Sequence, residues 1–155
     1  MSRMRVSVVD VYVLRQQGPA IETLLLRRST AGRCAGAWEA VHGHIEDGET
    51  PTEAARREVD EETGLDSTRL YSMSRVELFY QHQLDEVALV PVFAAFVSLD
   101  ASVRLSAEHD KAEWVSFAAA RERLAWPRER RALEDLEVLF RSGNAGSLED
   151  VLRVL

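Results

Sequence analysis

The chain has 155 residues, 46% of them hydrophobic and 29% charged, enough to build one ordinary globular core. A net charge of −7 argues against general binding to nucleic-acid backbones, which needs a basic footprint. A single cysteine, Cys34, excludes an internal disulfide and a cysteine-rich zinc site, and no apolar run reaches the roughly 18 residues of a membrane span.

Met1 to Arg5 leads into a valine-rich segment interrupted by Asp10, with no small-residue cleavage site behind it. Arg5 to Leu14 is therefore expected as a strand and not as a signal peptide. Gln16-Gln17-Gly18-Pro19 predicts a turn, and Thr23 to Arg27 a second strand. Ser29 to Gly36 is a small-residue loop, and Trp38 to Ile45 reads as short extended pieces ending in the turn Glu46-Asp47-Gly48.

The next element is the best marked. Thr50 can cap a helix, Pro51 suits its first position, Glu53 completes a capping box, and Gly64 supplies the stop. A helix is predicted over Pro51 to Thr63. Leu70 to Gln81 and Val87 to Val97 read as strands, the second apolar enough to be buried on both faces. Ala112 to Phe117 reads as a short strand. Ala118 to Leu124 and Glu129 to Phe140 read as helices separated by Pro127, and Leu148 to Leu155 as a last helical turn or two. This order predicts an α/β fold, a mixed sheet covered by helices on both faces, in a single domain over residues 1–155.

Gly43 to Leu65 carries the chemistry. Glu58, Glu61 and Glu62 are spaced i, i+3, i+4, so the helix is expected to project all three from one face, with Ala55, Val59 and Thr63 as a separate packing strip. Three like charges on one stripe repel by a few tenths of a kcal/mol per close pair. A hard divalent cation relieves that repulsion, and a plain solvated acidic face is the alternative that the three glutamates alone leave open.

The surrounding residues are decisive. Gly43, Glu49, Arg57, Glu58, Val59, Glu61, Glu62, Gly64 and Leu65 fall in the order and spacing of the Nudix box, and the chain resembles the Nudix hydrolase family on that ground. Seven fixed residues at roughly 7% usage each give a chance match on the order of 10⁻⁸ per starting position. The single cysteine makes a cytoplasmic location the simplest expectation, and the resemblance implies an α/β/α-sandwich enzyme. Its chemistry would be attack of water on phosphorus, dependent on Mg²⁺ with Mn²⁺ as a substitute.

It further implies metal ligation by Glu58 and Glu62, often joined by Glu61 and by the carbonyl of Gly43. Arg57 is implied to pair with Glu49 and to hold the loop against the helix. Glu58 is the first candidate for the general base, Glu61 the second, and Glu86 a third on a loop. The chain departs from a common Pro-Gly-Gly run, having Val41-His42-Gly43-His44, so His42 and His44 flank the implied ligand glycine.

Downstream, Ser106-Ala107-Glu108-His109 followed by Glu113-Trp114 is similar to the dATP and dihydroneopterin triphosphate pyrophosphatase branch. That likeness implies Glu108 as a further metal ligand and Arg27, Arg28 and Trp38 as substrate contacts, with His42 beside them. Strand alternation lets only one of Arg27 and Arg28 face the site. The expected partner is a small nucleoside di- or triphosphate, cleaved to a monophosphate and pyrophosphate.

Two alternatives stay open. One is a dinucleoside-polyphosphate, ADP-ribose or nucleotide-sugar hydrolase: Tyr80 lies near, but not at, the place of a tyrosine that dinucleoside-polyphosphate members carry beyond the box, and the proline that marks ADP-ribose hydrolases is absent between Leu65 and Val90. The other is a non-catalytic ligand-binding module, against which all box glutamates are retained. No membrane association is expected, and the oligomeric state is open.

Overall fold

A computed structural model describes residues 1–155. Eight strands form one mixed sheet: β1 (Arg3–Val6), β2 (Val8–Gln17), β3 (Ala20–Arg28), β4 (Trp38–Glu39), β5 (Val41–His44), β6 (Ser67–Gln81), β7 (Glu86–Val97) and β8 (His109–Val115). The central strand β7 runs parallel to β1 and β2 on one edge and antiparallel to β6 on the other. Strand β2 also pairs antiparallel with β3 and β5, and β3 pairs with β4 and β8. The expected first strand is divided at Ser7, because β1 and β2 follow different registers along β7: Val6 lies opposite Leu89, but Asp10 opposite Val92.

The helices are α1 (Pro51–Thr63), α2 (Phe117–Arg123), α3 (Pro127–Leu139) and the short α4 (Glu149–Leu152). Both halves of the capping box at α1 are present, and Gly64 closes the helix with φ 68°, a conformation glycine adopts without a Cβ penalty. Pro127 opens α3 instead of separating it from α2, because a first-turn position needs no N–H donor.

Two cores sandwich the sheet. On one side Ala54, Ala55 and Val59 of α1 meet Val9, Val11, Leu26, Val41 and Phe93. On the other, Leu133, Leu136 and Phe140 meet Tyr12, Tyr71 and Phe96, with Tyr71, Phe96 and Phe140 in edge-to-face contact at centroid separations of 4.9–5.9 Å. Each fully buried aliphatic or aromatic side chain contributes about 1.5–3 kcal/mol. Both faces of β7 are covered over Val92–Val97, whereas Val87, Leu89 and Pro91 stay partly exposed on one side. No helix is long and apolar enough to cross a membrane.

Two irregularities shape the functional end of the sheet. In β8 the extra residue Asp110 shifts the register between Arg27 and Arg28. In β6 a bulge around Ser74, with φ 53°, shifts the register between Ser72 and Val76 and carries the distal β6–β7 hairpin onward from the cores.

Candidate active site

Helix α1 lies against β2 and β5, which sets its acidic residues beside Gly43. The fit is close: a Cβ built on Gly43 would stand 2.0 Å from the Glu58 carboxyl carbon. Glycine is required here by space. Glu58 and Glu62 are buried with the packing strip, whereas Glu61 lies at the rim, its side chain about half exposed. The three share one side of the helix, where Arg57 Nη1 reaches both Glu58 and Glu61, but they differ in depth. The apolar strip is wide enough to take the i, i+4 pair in with it and leave the third outside.

Burial dominates the electrostatics of that pair. The Glu62 carboxyl is pushed up to about 10, first by burial and then by repulsion from Glu58, Glu108 and Glu39, against a hydrogen bond from the His42 backbone N–H. Its Oε2 has no hydrogen-bond partner. Glu58 is raised by burial and by Glu61 and Glu108, and the Arg57 guanidinium opposes the rise. Glu108 sits in the exposed turn just before β8, where its carbonyl accepts from the Ser29 N–H at 2.9 Å.

No three His, Cys, Asp or Glu side chains are arranged as a ready-made metal cage. The donor set nevertheless fits a hard divalent cation. It is all oxygen, mutually repelling, and includes one buried carboxylate oxygen with nothing bound to it.

Arg57 ties the box together. Its Nε and Nη2 fork onto the two oxygens of Glu49, each at 2.8 Å. Its Nη1 donates to Glu58 at 2.7 Å and Glu61 at 3.2 Å, and Nη2 also reaches the His44 carbonyl at 2.8 Å. Glu49, further held by the Glu46 N–H, is lowered to about 2 by this pairing. One guanidinium thus joins the loop, strand β5 and the helix.

Beside the box opens a cavity of about 490 Å³, lined by Arg28, Glu39, His42, His44, Trp126 and the hairpin Phe79–Leu84, with Arg33 and Cys34 at its edge. His42 is fixed from behind: its Nδ1 lies 2.6 Å from Asp10, which is fully buried and accepts a fork from Arg128 at 2.7 and 3.0 Å. Because the fork keeps Asp10 ionised, His42 Nδ1 is the protonated nitrogen of that pair.

The remaining sequence candidates separate. Arg28 lines the cavity, its Nη1 3.5 Å from Glu39. Arg27 points elsewhere, paired at 2.7 Å with Asp110. Trp38 is partly buried against the α2–α3 core with the Arg123 guanidinium 4.2 Å over its ring, and does not line the cavity. Trp114 packs against the box-helix core under Arg15. Glu86 opens β7, buried opposite Arg3 and Gln81, and it is not among the groups that raise Glu58 or Glu62.

Residues with no motif to announce them take prominent places. Glu39 accepts from Trp126 Nε1 at 3.4 Å and pairs at 2.9 Å with Nε2 of the buried His109. Trp126 meets Phe79 edge to face at 6.1 Å.

The sequence matches the NUDIX domain over residues 4–136. The chain belongs to the NUDIX family. Curated relatives include an octanoyltransferase of Myxococcus xanthus, 39% identical over 123 residues, which are 75% of this chain and 32% of that protein. This chain thus spans about a third of that relative's length. The asymmetrical bis(5'-nucleosyl)-tetraphosphatase of Sus scrofa is 34% identical over 65% of this chain and 68% of its own.

Among solved structures, a NUDIX hydrolase of Listeria monocytogenes superposes with TM-score 0.76 at 26% identity, over 90% of this chain and 97% of that one. The dihydroneopterin triphosphate pyrophosphohydrolase of E. coli superposes with TM-score 0.69 at 24% identity, over 89% and 99%, a likeness of fold. This NUDIX protein keeps every residue of the box.

Proposed function

We propose that this NUDIX protein hydrolyses a diphosphate linkage in a nucleoside triphosphate or pterin triphosphate, releasing a monophosphate and pyrophosphate. What supports the reading is the pair of buried carboxyls Glu58 and Glu62, Glu58 packed against Gly43, with the charge of Glu108 acting on both. Each of the two is raised first by burial and then by neighbouring acids, a penalty that a bound cation would relieve. Mg²⁺ or Mn²⁺ bound there would neutralise phosphate charge and acidify the attacking water.

Glu58, Glu61, Glu62, Glu108 and the Gly43 carbonyl are the groups to hold it. Glu58 is the first choice to take the proton of the attacking water as its oxygen bonds to phosphorus and the bridging P–O bond breaks, and Glu61 the second. Glu58 is oriented for this by Arg57, which Glu49 holds in turn. Arg28, facing the cavity with a guanidinium that can fork onto phosphate, is the candidate for an outer phosphate, with His42 beside it. Trp126 and Phe79 offer aromatic surface to a base or pterin ring.

A second reading has support of its own. The Sus scrofa relative is named for cleaving bis(5'-nucleosyl) tetraphosphates, and Tyr80 lies on the hairpin that lines the cavity. A metal-supplemented panel of dATP, dihydroneopterin triphosphate, a dinucleoside tetraphosphate and ADP-ribose, with products resolved by phosphorus NMR, decides between them. Pyrophosphate from a triphosphate is the expected result. Preference for the dinucleoside tetraphosphate or ADP-ribose over every triphosphate overturns the substrate class, and no turnover of any of them overturns the enzymatic reading.

A further inference from the structure

We infer that the outer face of the β1–β7–β6 extension is an interface for a second copy of this chain. Register places the side chains. Tyr80, Val87 and Met4 lie in one row across the three strands, and Leu78, Leu89 and Val6 in the next. Side chains directly opposite one another in neighbouring strands share a face, so these rows form one apolar surface. A third row continues it with Val76 opposite Pro91.

The alternate residues take the other side. Ala88 and Val90 are buried against Val8, and Phe79 turns to Trp126 and the cavity. The alternation would normally leave the solvent side polar. Here it does not: Met4, Val6, Val76, Leu78 and Tyr80 are each 46–68% exposed. Helix α1, which covers this sheet over β2 and β5, does not extend over the hairpin.

The apolar area left open is on the order of 600 Å², the upper end for the largest patch on a monomer. Two such faces brought together remove about 1,200 Å², the threshold of a stable specific interface. The occupant is argued from charge and shape. None of the eight side chains is charged, and the one carboxylate hydrogen-bonded to them, Asp85 on the Tyr80 hydroxyl, sits at the hairpin end where Tyr80 also borders the cavity, so the rows from Leu78 onward meet a second copy without like charges opposed. A basic stripe for nucleic acid is absent from the rows. A pleated three-stranded face packs on its own copy about a two-fold axis, the same patch serving both sides, as sheets do in sandwiches.

Sedimentation equilibrium of the full chain from about 1 to 200 μM tests the inference. The expected result is a reversible dimer, with Leu78→Glu raising its Kd by roughly 100-fold. Leu78 fills no core, so this variant should melt with the wild type; Val6→Lys, one strand away, should act alike and guards against a local effect at Leu78. In a Cys34→Ser background, Leu78→Cys should form a disulfide-linked dimer on mild oxidation. A wild-type monomer over the whole range, or a dimer that both charged variants leave intact, overturns the inference. So does a monomer that instead co-sediments with phosphatidylcholine vesicles, which would make the face a lipid contact.

Discussion

Replacing Gly43 by alanine is a direct test of how closely helix and strand are apposed at the site. The added Cβ would stand 2.0 Å from the Glu58 carboxyl carbon and 2.2 and 2.4 Å from its oxygens. Ordinary contact begins at 3.4 Å, so the carboxyl must retreat by about 1.4 Å. That movement strains or breaks the 2.7 Å bond from Arg57 Nη1 and moves Glu58 relative to Glu62.

The φ of Gly43 is not positive, and the backbone carbonyl is retained in alanine, so the substitution changes space alone. Overpacking costs about 1–3 kcal/mol. For a chain of this size that lowers Tm by roughly 2–4 °C per kcal/mol. A displacement near 1 Å at reacting groups can cost about 100-fold in rate. The assays are thermal melting and kcat in Mg²⁺ on the best substrate of the panel. Adding Glu58→Asp, one methylene shorter, should restore Tm and leave kcat low. A Gly43→Ala protein with wild-type Tm and kcat would refute the apposition.

The folded Glu62 carboxyl sits near 10 and its unfolded value near 4.5, so the folded state keeps a proton that the unfolded state gives up between those values. Metal-free stability should therefore fall as pH rises from about 5 to 9, and urea titrations of Glu62→Gln should show a smaller fall than wild type. The same variant should lose most metal-dependent turnover; wild-type rates without extra metal would remove Glu62 from the ligand set. Arg57→Lys keeps the charge but cannot fork onto Glu49 while reaching Glu58, and should lose about 10–100-fold in activity or in metal affinity measured by titration. Trp126→Ala should raise KM about 10-fold with little change in kcat, and an unchanged KM would place the ring of the substrate elsewhere.

How much of this was written locally differs between the helix and the pocket. Thr50, Pro51, Glu53 and Gly64 announce α1 because capping is a matter of a few neighbouring residues, and the structure closes the helix at those residues. The strand β7 declares its burial through its composition over Val92–Val97, but its first half, equally apolar, stays partly open on one face. The division at Ser7 and the bulges at Ser74 and Asp110 were not legible, since they arise from the registers of paired strands and leave no composition signal. That Glu61 stays exposed while Glu58 and Glu62 are buried was not legible, because spacing gives angles around a helix but not how wide a face the sheet will bury. Strand alternation did separate Arg27 from Arg28.

The same division bears on what the protein can be asked. The Glu49–Arg57 fork spans eight positions and the Arg57–Glu58 contact one, so the box part of the site, Glu108 apart, is encoded in one uninterrupted stretch. The pocket half is not. Glu39 meets His109 across 70 positions and Trp126 across 87, and Asp10 meets Arg128 across 118. Those pairings come from strands and a helix tens of residues apart, and each can change without disturbing the box. A family signature therefore identifies the bond to be cut while saying little about the molecule that carries it. On the proposed function, the choice of substrate would lie with α3 and the β6–β7 hairpin, through Trp126, Phe79 and the Arg128–Asp10 support beneath His42. It is at those positions that exchanging residues should move the protein from one nucleotide to another while leaving the cleavage chemistry in place.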